Sequence, residues 1–155
     1  MQLGTKGRYA VMAMIELVIF EKEQDLVPRP LPLSRIARHL DISVLYLEQL
    51  FSKLKRKGLV QSIRGTSGGY ILGRPAKDIS LVEIMDAVGE SLRVTRCSGE
   101  KGCLPNQTRC KVHHVWAEVE NRIYDYLHSL SLETLYLEPK GCVSLDQKDR
   151  KCHHT

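Results

Sequence analysis

Three cysteines and one histidine stand close together in the second half of the chain, with the spacing Cys97-x5-Cys103-x6-Cys110-x2-His113. Three thiolates and one imidazole make a ligand set suited to zinc or to an iron–sulfur cluster. Zinc sites usually contain cysteine pairs separated by only a few residues, and the gaps here are wider, which favours a cluster. The adjacent His114 is an alternative to His113 as the fourth ligand.

The total number of cysteines is five, which is odd. Together with the grouping of three of them, this favours metal binding or redox chemistry over a disulfide framework. Cys142 and Cys152 lie in segment 138–155, which we expect to be a flexible tail, and we leave them out of the site.

The first half of the chain has the pattern of a helix-turn-helix. Apolar spacing predicts a first helix over 6–20, a short helix over 33–40 and another helix over 44–57. The turn at 41–43 joins the last two, and its Ser43 is a good N-cap for the helix that would read DNA. The proline-rich loop at 28–32 cannot continue a helix and favours an extended path.

A hairpin should follow this pair of helices. Strands are predicted at 59–63 and 70–72, around a turn at 64–69 that contains three glycines. Helix, turn, helix and a glycine-tipped hairpin, in this order, are typical of a winged helix. The predicted fold class is therefore mainly α with a small β-hairpin, a winged helix-turn-helix domain followed by a long C-terminal dimerisation helix.

Candidate DNA contacts lie on the first helix, the recognition helix and the wing. If exposed, Ser43, Tyr46 and Gln49 can donate to phosphates or base edges, whereas Glu48 can accept only from cytosine N4 and would affect specificity. The predicted DNA-binding set is Arg8, Ser43, Tyr46, Glu48, Gln49, Arg56, Arg64, Gly65 and Ser67. Further candidates for phosphate contact are Arg35, Arg38, Lys53, Lys55 and Lys57.

The charge distribution favours the same half as the DNA-binding part. Residues 1–77 contain 13 Lys and Arg against 6 Asp and Glu, whereas residues 78–155 contain 10 against 12. The net positive charge is thus confined to the first half, as expected if that half meets phosphate. The longest apolar stretch, 11–20, is too short to cross a bilayer, and no secretion signal opens the chain. We expect a cytoplasmic protein with double-stranded DNA, and no membrane, as its partner.

The second half contains two further predicted helices. Ser80 and Glu83 form a capping box that opens a helix through Val88. A long helix over 112–130 carries apolar residues at a spacing of three and four, which gives one apolar stripe. We expect this stripe to form a homodimer, and packing within one chain is the alternative. The predicted division is a DNA-binding domain at 1–78, then a part at 79–137 that contains the cluster-binding loop at 97–113 and the dimerisation helix.

Four stretches together closely resemble the IscR-type family of iron–sulfur cluster regulators. They are GTKGRYA at 4–10, YLEQLF at 46–51, RGTSGGY at 64–70 and the Cys97, Cys103, Cys110 and His113 set. The resemblance runs over residues 1–137. It implies a homodimeric winged-helix regulator of iron–sulfur biogenesis genes, with a 2Fe–2S cluster bound by those four residues and supplied by the iron–sulfur assembly machinery.

The resemblance also implies a role for Glu48. In that family the cluster-bearing and cluster-free forms prefer different DNA sequences. Glu48 matches the acidic residue of the recognition helix through which the cluster-free form relaxes its sequence requirements. Two departures from the family pattern are one extra residue between Cys103 and Cys110 and a longer proline-rich loop at 28–32.

Three other functions compete with this one. A nitric-oxide-sensing repressor of the same superfamily would share three spaced cysteines, but His113 favours the IscR type. A zinc-stabilised DNA-binding protein without sensing would use the same ligands. A small redox enzyme has no support beyond the thiols, since the sequence has no C-x-x-C pair. We therefore expect no enzymatic activity.

Overall fold

The computed structural model describes residues 4–24, 29–94 and 102–137. Its elements in chain order are helices α1 (Thr5–Lys22), α2 (Leu33–Leu40) and α3 (Val44–Arg56), strands β1 (Val60–Ile63) and β2 (Gly69–Leu72), a 3-10 turn at Ala76–Asp78, and helices α4 (Leu81–Val88), α5 (His113–Ser129) and α6 (Leu132–Leu137). No helix in the described ranges is long and apolar enough to cross a membrane. The predicted tail at 138–155 and Cys97 lie outside these ranges.

The predicted fold class is confirmed, because the described chain is mostly helical with one antiparallel hairpin. The predicted bounds of α2 are correct, and α3 ends one residue earlier than expected. The sequence pattern did not predict α6 or the 3-10 turn, since both are too short to show a clear period.

The helix-turn-helix follows from local signals in the sequence. Asp41 adopts a left-handed backbone conformation, with φ of 51°, and ends α2. Two residues later, the Ser43 Oγ accepts a hydrogen bond from the Tyr46 backbone N–H at 3.1 Å and so caps α3. The side of α3 that faces the core is buried and consists of Leu47, Leu50, Phe51 and Leu54.

The hairpin is braced by the segment before α2. β1 and β2 pair from Val60 with Leu72 to Ile63 with Gly69. Leu31 adds an isolated bridge to Tyr70, with both backbone hydrogen bonds at 2.9 Å. The described end of the proline-rich loop is therefore extended, as its prolines predicted. Gly69 is required at this point, because a Cβ there would collide with the Leu31 carbonyl.

The main core of the described residues joins the two halves of the chain. Leu132 from α6 and Ile84 and Val88 from α4 are buried in the same cluster as the helix-turn-helix. Leu132 N–H donates to the Ile79 carbonyl at 3.0 Å, which holds the start of α6 beside the 3-10 turn. The predicted division at residue 78 is therefore not a boundary of the hydrophobic core.

Candidate DNA-binding face and cysteine–histidine site

α3 presents one polar face away from the core. Leu45, Glu48, Gln49 and Ser52 are all exposed and follow the i, i+3, i+4, i+7 spacing of a single helix face. We call these four residues the recognition face. Ser43 at the start of the helix is exposed as well, so its hydroxyl can still donate outward while its oxygen caps α3. The expected exposure of Ser43, Glu48 and Gln49 is confirmed.

Tyr46 differs from the expectation of an exposed donor. Its side chain is half-buried, and its ring packs edge-on against Tyr9 of α1, with the ring centres 6.1 Å apart. The hydroxyl is enclosed and has no hydrogen-bond partner among the described residues. The reason is helical geometry, because position 46 lies one turn before the buried Leu50 and so belongs to the edge of the core. The expectation that Tyr46 is exposed is wrong.

Most predicted cationic contacts are on the surface. Arg8 on α1 and Arg56 at the end of α3 are exposed, and so are Lys55 and Lys57. Lys53 is an exception, since its Nζ donates to the Val88 carbonyl at 3.1 Å. Lys53 therefore caps the C-terminal end of α4 rather than pointing a cation outward.

The tip of the hairpin carries the predicted wing residues. Arg64, Gly65 and Ser67 are exposed at the turn between β1 and β2. Gly65 has a φ of 126°, a conformation that other residues rarely adopt, and its carbonyl accepts from the Gly68 N–H at 3.0 Å. This tight turn projects Arg64 from the end of the sheet.

Two of the four predicted ligands meet at the start of α5. Cys103 Sγ lies 3.1 Å from His113 Nδ1, and both side chains are half-buried. His113 N–H donates to the Cys110 carbonyl at 3.0 Å, so a turn joins these two residues at the helix entrance. Cys110 lies three residues before α5, which begins at His113, one residue later than its predicted start at 112. His114 is exposed.

The loop that carries Cys103 folds back on itself. Leu104 N–H donates to the Thr108 carbonyl at 3.1 Å, and Gln107 N–H donates to the Leu104 carbonyl at 2.9 Å. Gly102 lies so close to Gln107 that a Cβ there would collide with its carbonyl. These contacts return the chain towards α5, which brings Cys103 to His113.

The donor types at this site suit the implied cofactor. A thiol and an imidazole already converge, and these are ligands of iron–sulfur clusters and of zinc. Within the described residues no group of three or more candidate ligands is gathered closely enough to hold a metal ion. Cys97, the third predicted cysteine ligand, lies outside them. Cys103 and Cys110 form no disulfide.

A carboxylate that the sequence analysis did not select connects α4 to α1. Glu90 Oε1 accepts from the Gly4 N–H at 2.9 Å, and Glu90 Oε2 accepts from the Gly7 N–H at 3.0 Å. A Cβ on either glycine would collide with the Glu90 side chain. The only sequence signal was a helix start with two glycines and no side chain that could cap it.

α5 leaves most of its surface uncovered. None of its residues is buried, and its exposed large apolar residues are Val115, Trp116, Tyr124 and Tyr126. Glu120 Oε2, one turn after Trp116 on α5, accepts from the N–H of Val94 at 3.3 Å. α5 is thus only partly covered by the rest of the described chain.

Comparisons with known proteins match this chain to transcription regulators. A family model described as Rrf2, iron-dependent transcriptional regulator, matches residues 3–138. The HTH-type transcriptional regulator IscR of Xenorhabdus nematophila is 44% identical over 151 residues, which cover 97% of this chain and 87% of the relative.

Solved structures of regulators are similar as well. The structure of T. potens IscR has 32% sequence identity and a TM-score of 0.68, and the match covers 91% of this chain and 90% of that one. CymR, the global cysteine regulator of B. subtilis, has 32% identity and a TM-score of 0.70, with coverage of 87% and 95%.

These matches confirm the predictions of a transcription regulator rather than an enzyme. The relatives are named helix-turn-helix regulators, and the match includes both α3 and the hairpin. The chain is a DNA-binding transcription regulator of the IscR type, and it belongs to the Rrf2 family of iron-dependent transcriptional regulators.

Proposed function

We propose that this protein controls genes of iron–sulfur cluster biogenesis, and that it does so by holding a 2Fe–2S cluster on Cys97, Cys103, Cys110 and His113. The observation that carries the proposal is the 3.1 Å approach of Cys103 Sγ to His113 Nδ1 at the entrance of α5. His113 is preferred to His114 because His113 faces the cysteine, whereas His114 is exposed. When bound, the cluster would make the protein sensitive to oxidants and to iron starvation, because either can remove it.

The protein's own residues would translate this into DNA binding. The chain would occupy one state when loop 97–113 is held in place and another when the same loop is released. The two states would present the recognition helix differently. Each operator would then favour the state that binds it with the higher affinity. The iron–sulfur assembly machinery would be the cluster donor, and the cytoplasm, where promoter DNA lies, the place of action.

Contacts to DNA are proposed for three surfaces. α3 would lie in the major groove, where Ser43 and Gln49 donate and Glu48 accepts from cytosine. Arg64 at the wing would enter the minor groove, with Gly65 and Ser67 close to the backbone. Arg8 and Arg56 would contact phosphates on either side. Tyr46 would contribute by packing α3 against α1 through its ring.

We further propose a homodimer formed through α5. Trp116 is 45% exposed in the single chain and Tyr126 is 62% exposed, which is unusual for large apolar side chains that recur on one helix. A second copy of α5 would cover them and would place two recognition helices on two half-sites. In this scheme residues 1–78 bind DNA, and residues 79–137 carry the cluster loop and the dimer helix.

The first test is the visible absorption spectrum, together with the iron, sulfide and zinc content, of protein purified without oxygen. We expect a brown protein that contains iron and sulfide. Cys103→Ser should remove the visible bands, because it removes one of the two converging ligands, whereas the matched control Cys152→Ser should keep them. A colourless protein with stoichiometric zinc would overturn the cluster and reduce the site to a structural one.

A further inference from the structure

An exposed leucine stands at the N-terminal end of the recognition face. Leu45 lies in the first turn of α3 and is 67% exposed. It shares this face with Glu48, Gln49 and Ser52, on the side of the helix opposite the buried Leu47 and Leu50. The fold therefore leaves most of the Leu45 side chain uncovered, and this apolar surface is available to a ligand.

The position of Leu45 selects the ligand. In helix-turn-helix proteins the N-terminal residues of the recognition helix are those that contact base edges. The floor of the major groove presents hydrogen-bonding groups at every base pair and one apolar group, the C5-methyl of thymine. A leucine side chain has no donor or acceptor, so this methyl is the feature of the groove that it can recognise.

We propose that Leu45 is a specificity-determining residue that contacts a thymine methyl group in each operator half-site. This inference goes beyond cluster sensing and requires only that α3 enters the major groove. Glu48 and Gln49 would read hydrogen-bonding edges on the same face, while Leu45 adds an apolar contact with the thymine methyl group that neither polar side chain makes.

A protein partner fits this surface less well than DNA does. Stable protein interfaces use on the order of twenty residues from each side, whereas the apolar surface here consists of Leu45 and the neighbouring Val44. Its surroundings are polar, and exposed cations at Lys55, Arg56 and Lys57 follow at the other end of the helix. A nucleic acid fits this surface better, because it offers phosphates to the basic residues and single methyl groups to Leu45.

The test uses the full chain and DNA with single methyl groups removed. An operator duplex is selected from random-sequence DNA with the wild-type protein, and each thymine is then replaced singly by deoxyuridine, which lacks only the C5-methyl. We expect one position in each half-site at which the wild-type affinity falls about fourfold, the effect of exposing one buried methyl-sized group. In Leu45→Ala that fall should vanish, and in Leu45→Met, which keeps a long apolar side chain, it should remain.

Leu137→Ala is the matched control, because Leu137 is the same residue type with the same 67% exposure but lies at the end of α6. It should show the wild-type response to deoxyuridine. The proposal is overturned if no thymine position responds in the wild type, or if Leu45→Ala responds as the wild type does. Failure to select any operator would instead contradict DNA reading by α3 itself. Whether the protein holds a cluster is tested separately, by its metal content.

Discussion

Glu90 and Gly7 are joined by a hydrogen bond of 3.0 Å from the Gly7 N–H to Glu90 Oε2, although 83 residues separate them along the chain. The same carboxylate accepts from Gly4, so one side chain satisfies two of the N–H groups that the first turn of a helix leaves without partners. The negative charge also lies at the positive end of the α1 dipole. Glu90 thus fixes the start of α1 against the segment that leads from α4 into the cysteine loop.

Glu90→Ala should lower the free energy of unfolding by about 1–2 kcal/mol, because both backbone donors lose their partner. Urea denaturation followed by circular dichroism measures the change. Glu21→Ala, an exposed carboxylate near the other end of α1, is the matched control and should change stability by less than about 0.5 kcal/mol. Equal stability of the two variants would contradict the capping role of Glu90.

Stability should depend on pH through Glu83. Burial alone would raise the pKa of Glu83, but hydrogen bonds from Arg74 and Ser80 and the charge of Arg74 together hold that pKa below its ordinary value of 4.5. The stabilisation of the folded state by the ionised Glu83 is therefore fully present above pH 4.5, and it is lost as the pH falls through the lowered pKa.

Urea midpoints from pH 7 downward test this dependence. Glu83→Gln should be less stable than the wild type at pH 7, and the difference should shrink below pH 4.5. Glu118→Gln, in the exposed pair with Arg122, should show little difference at any pH. A Glu83→Gln deficit that stays constant down to acid unfolding would refute the role of the charge.

Tyr46→Phe separates packing from hydrogen bonding in the recognition helix. The hydroxyl is enclosed without a partner among the described residues, so its removal should leave the free energy of unfolding unchanged or raise it by up to about 1 kcal/mol. Operator affinity should stay the same, because the ring against Tyr9 is retained. Tyr46→Ala, which removes the ring, should lower both the free energy of unfolding and the operator affinity. A large loss of affinity in Tyr46→Phe would show that the hydroxyl donates to DNA.

Glu48→Ala should broaden operator tolerance. The carboxylate is exposed on the recognition face, where cytosine N4 is its usual donor and phosphate repels it. Affinity for operators that carry other bases at the contacted position should rise by roughly tenfold. Binding to a panel of single-base operator variants measures this, with Glu21→Ala as the control. An unchanged preference at every position would rule out discrimination by Glu48.

Trp116→Glu should dissociate the proposed dimer, since it would bury an unpaired charge in an apolar interface. Sedimentation velocity at micromolar concentration should show a dimer for the wild type and a monomer for the variant, with normal helical content. Asn121→Glu, at an exposed position on the side of α5 away from Trp116 and Tyr126, should remain dimeric. A wild-type monomer, or a dimeric Trp116→Glu, would place the interface elsewhere.

The sequence by itself determined the elements whose signals are local. Ser43 caps α3 and Ser80 pairs with Glu83 at the start of α4 because each partner lies within one helical turn. The ligand types are also a property of the chain, since Cys97, Cys103 and Cys110 fall within fourteen residues. Periodicity similarly separated the buried side of α3 from its exposed side, which was enough to place Glu48 and Gln49 outward.

Only the tertiary structure decided which distant groups meet. Glu90 and Gly7, and Lys53 and the Val88 carbonyl, lie far apart in sequence, and no periodicity relates them. The Tyr46 hydroxyl is enclosed because α3 packs against α1, where the Tyr46 ring meets Tyr9. Leu132 joins the core only after α5 has returned the chain to α1. Such contacts form when the packing of whole elements fixes their relative positions, so the order of residues alone could not disclose them.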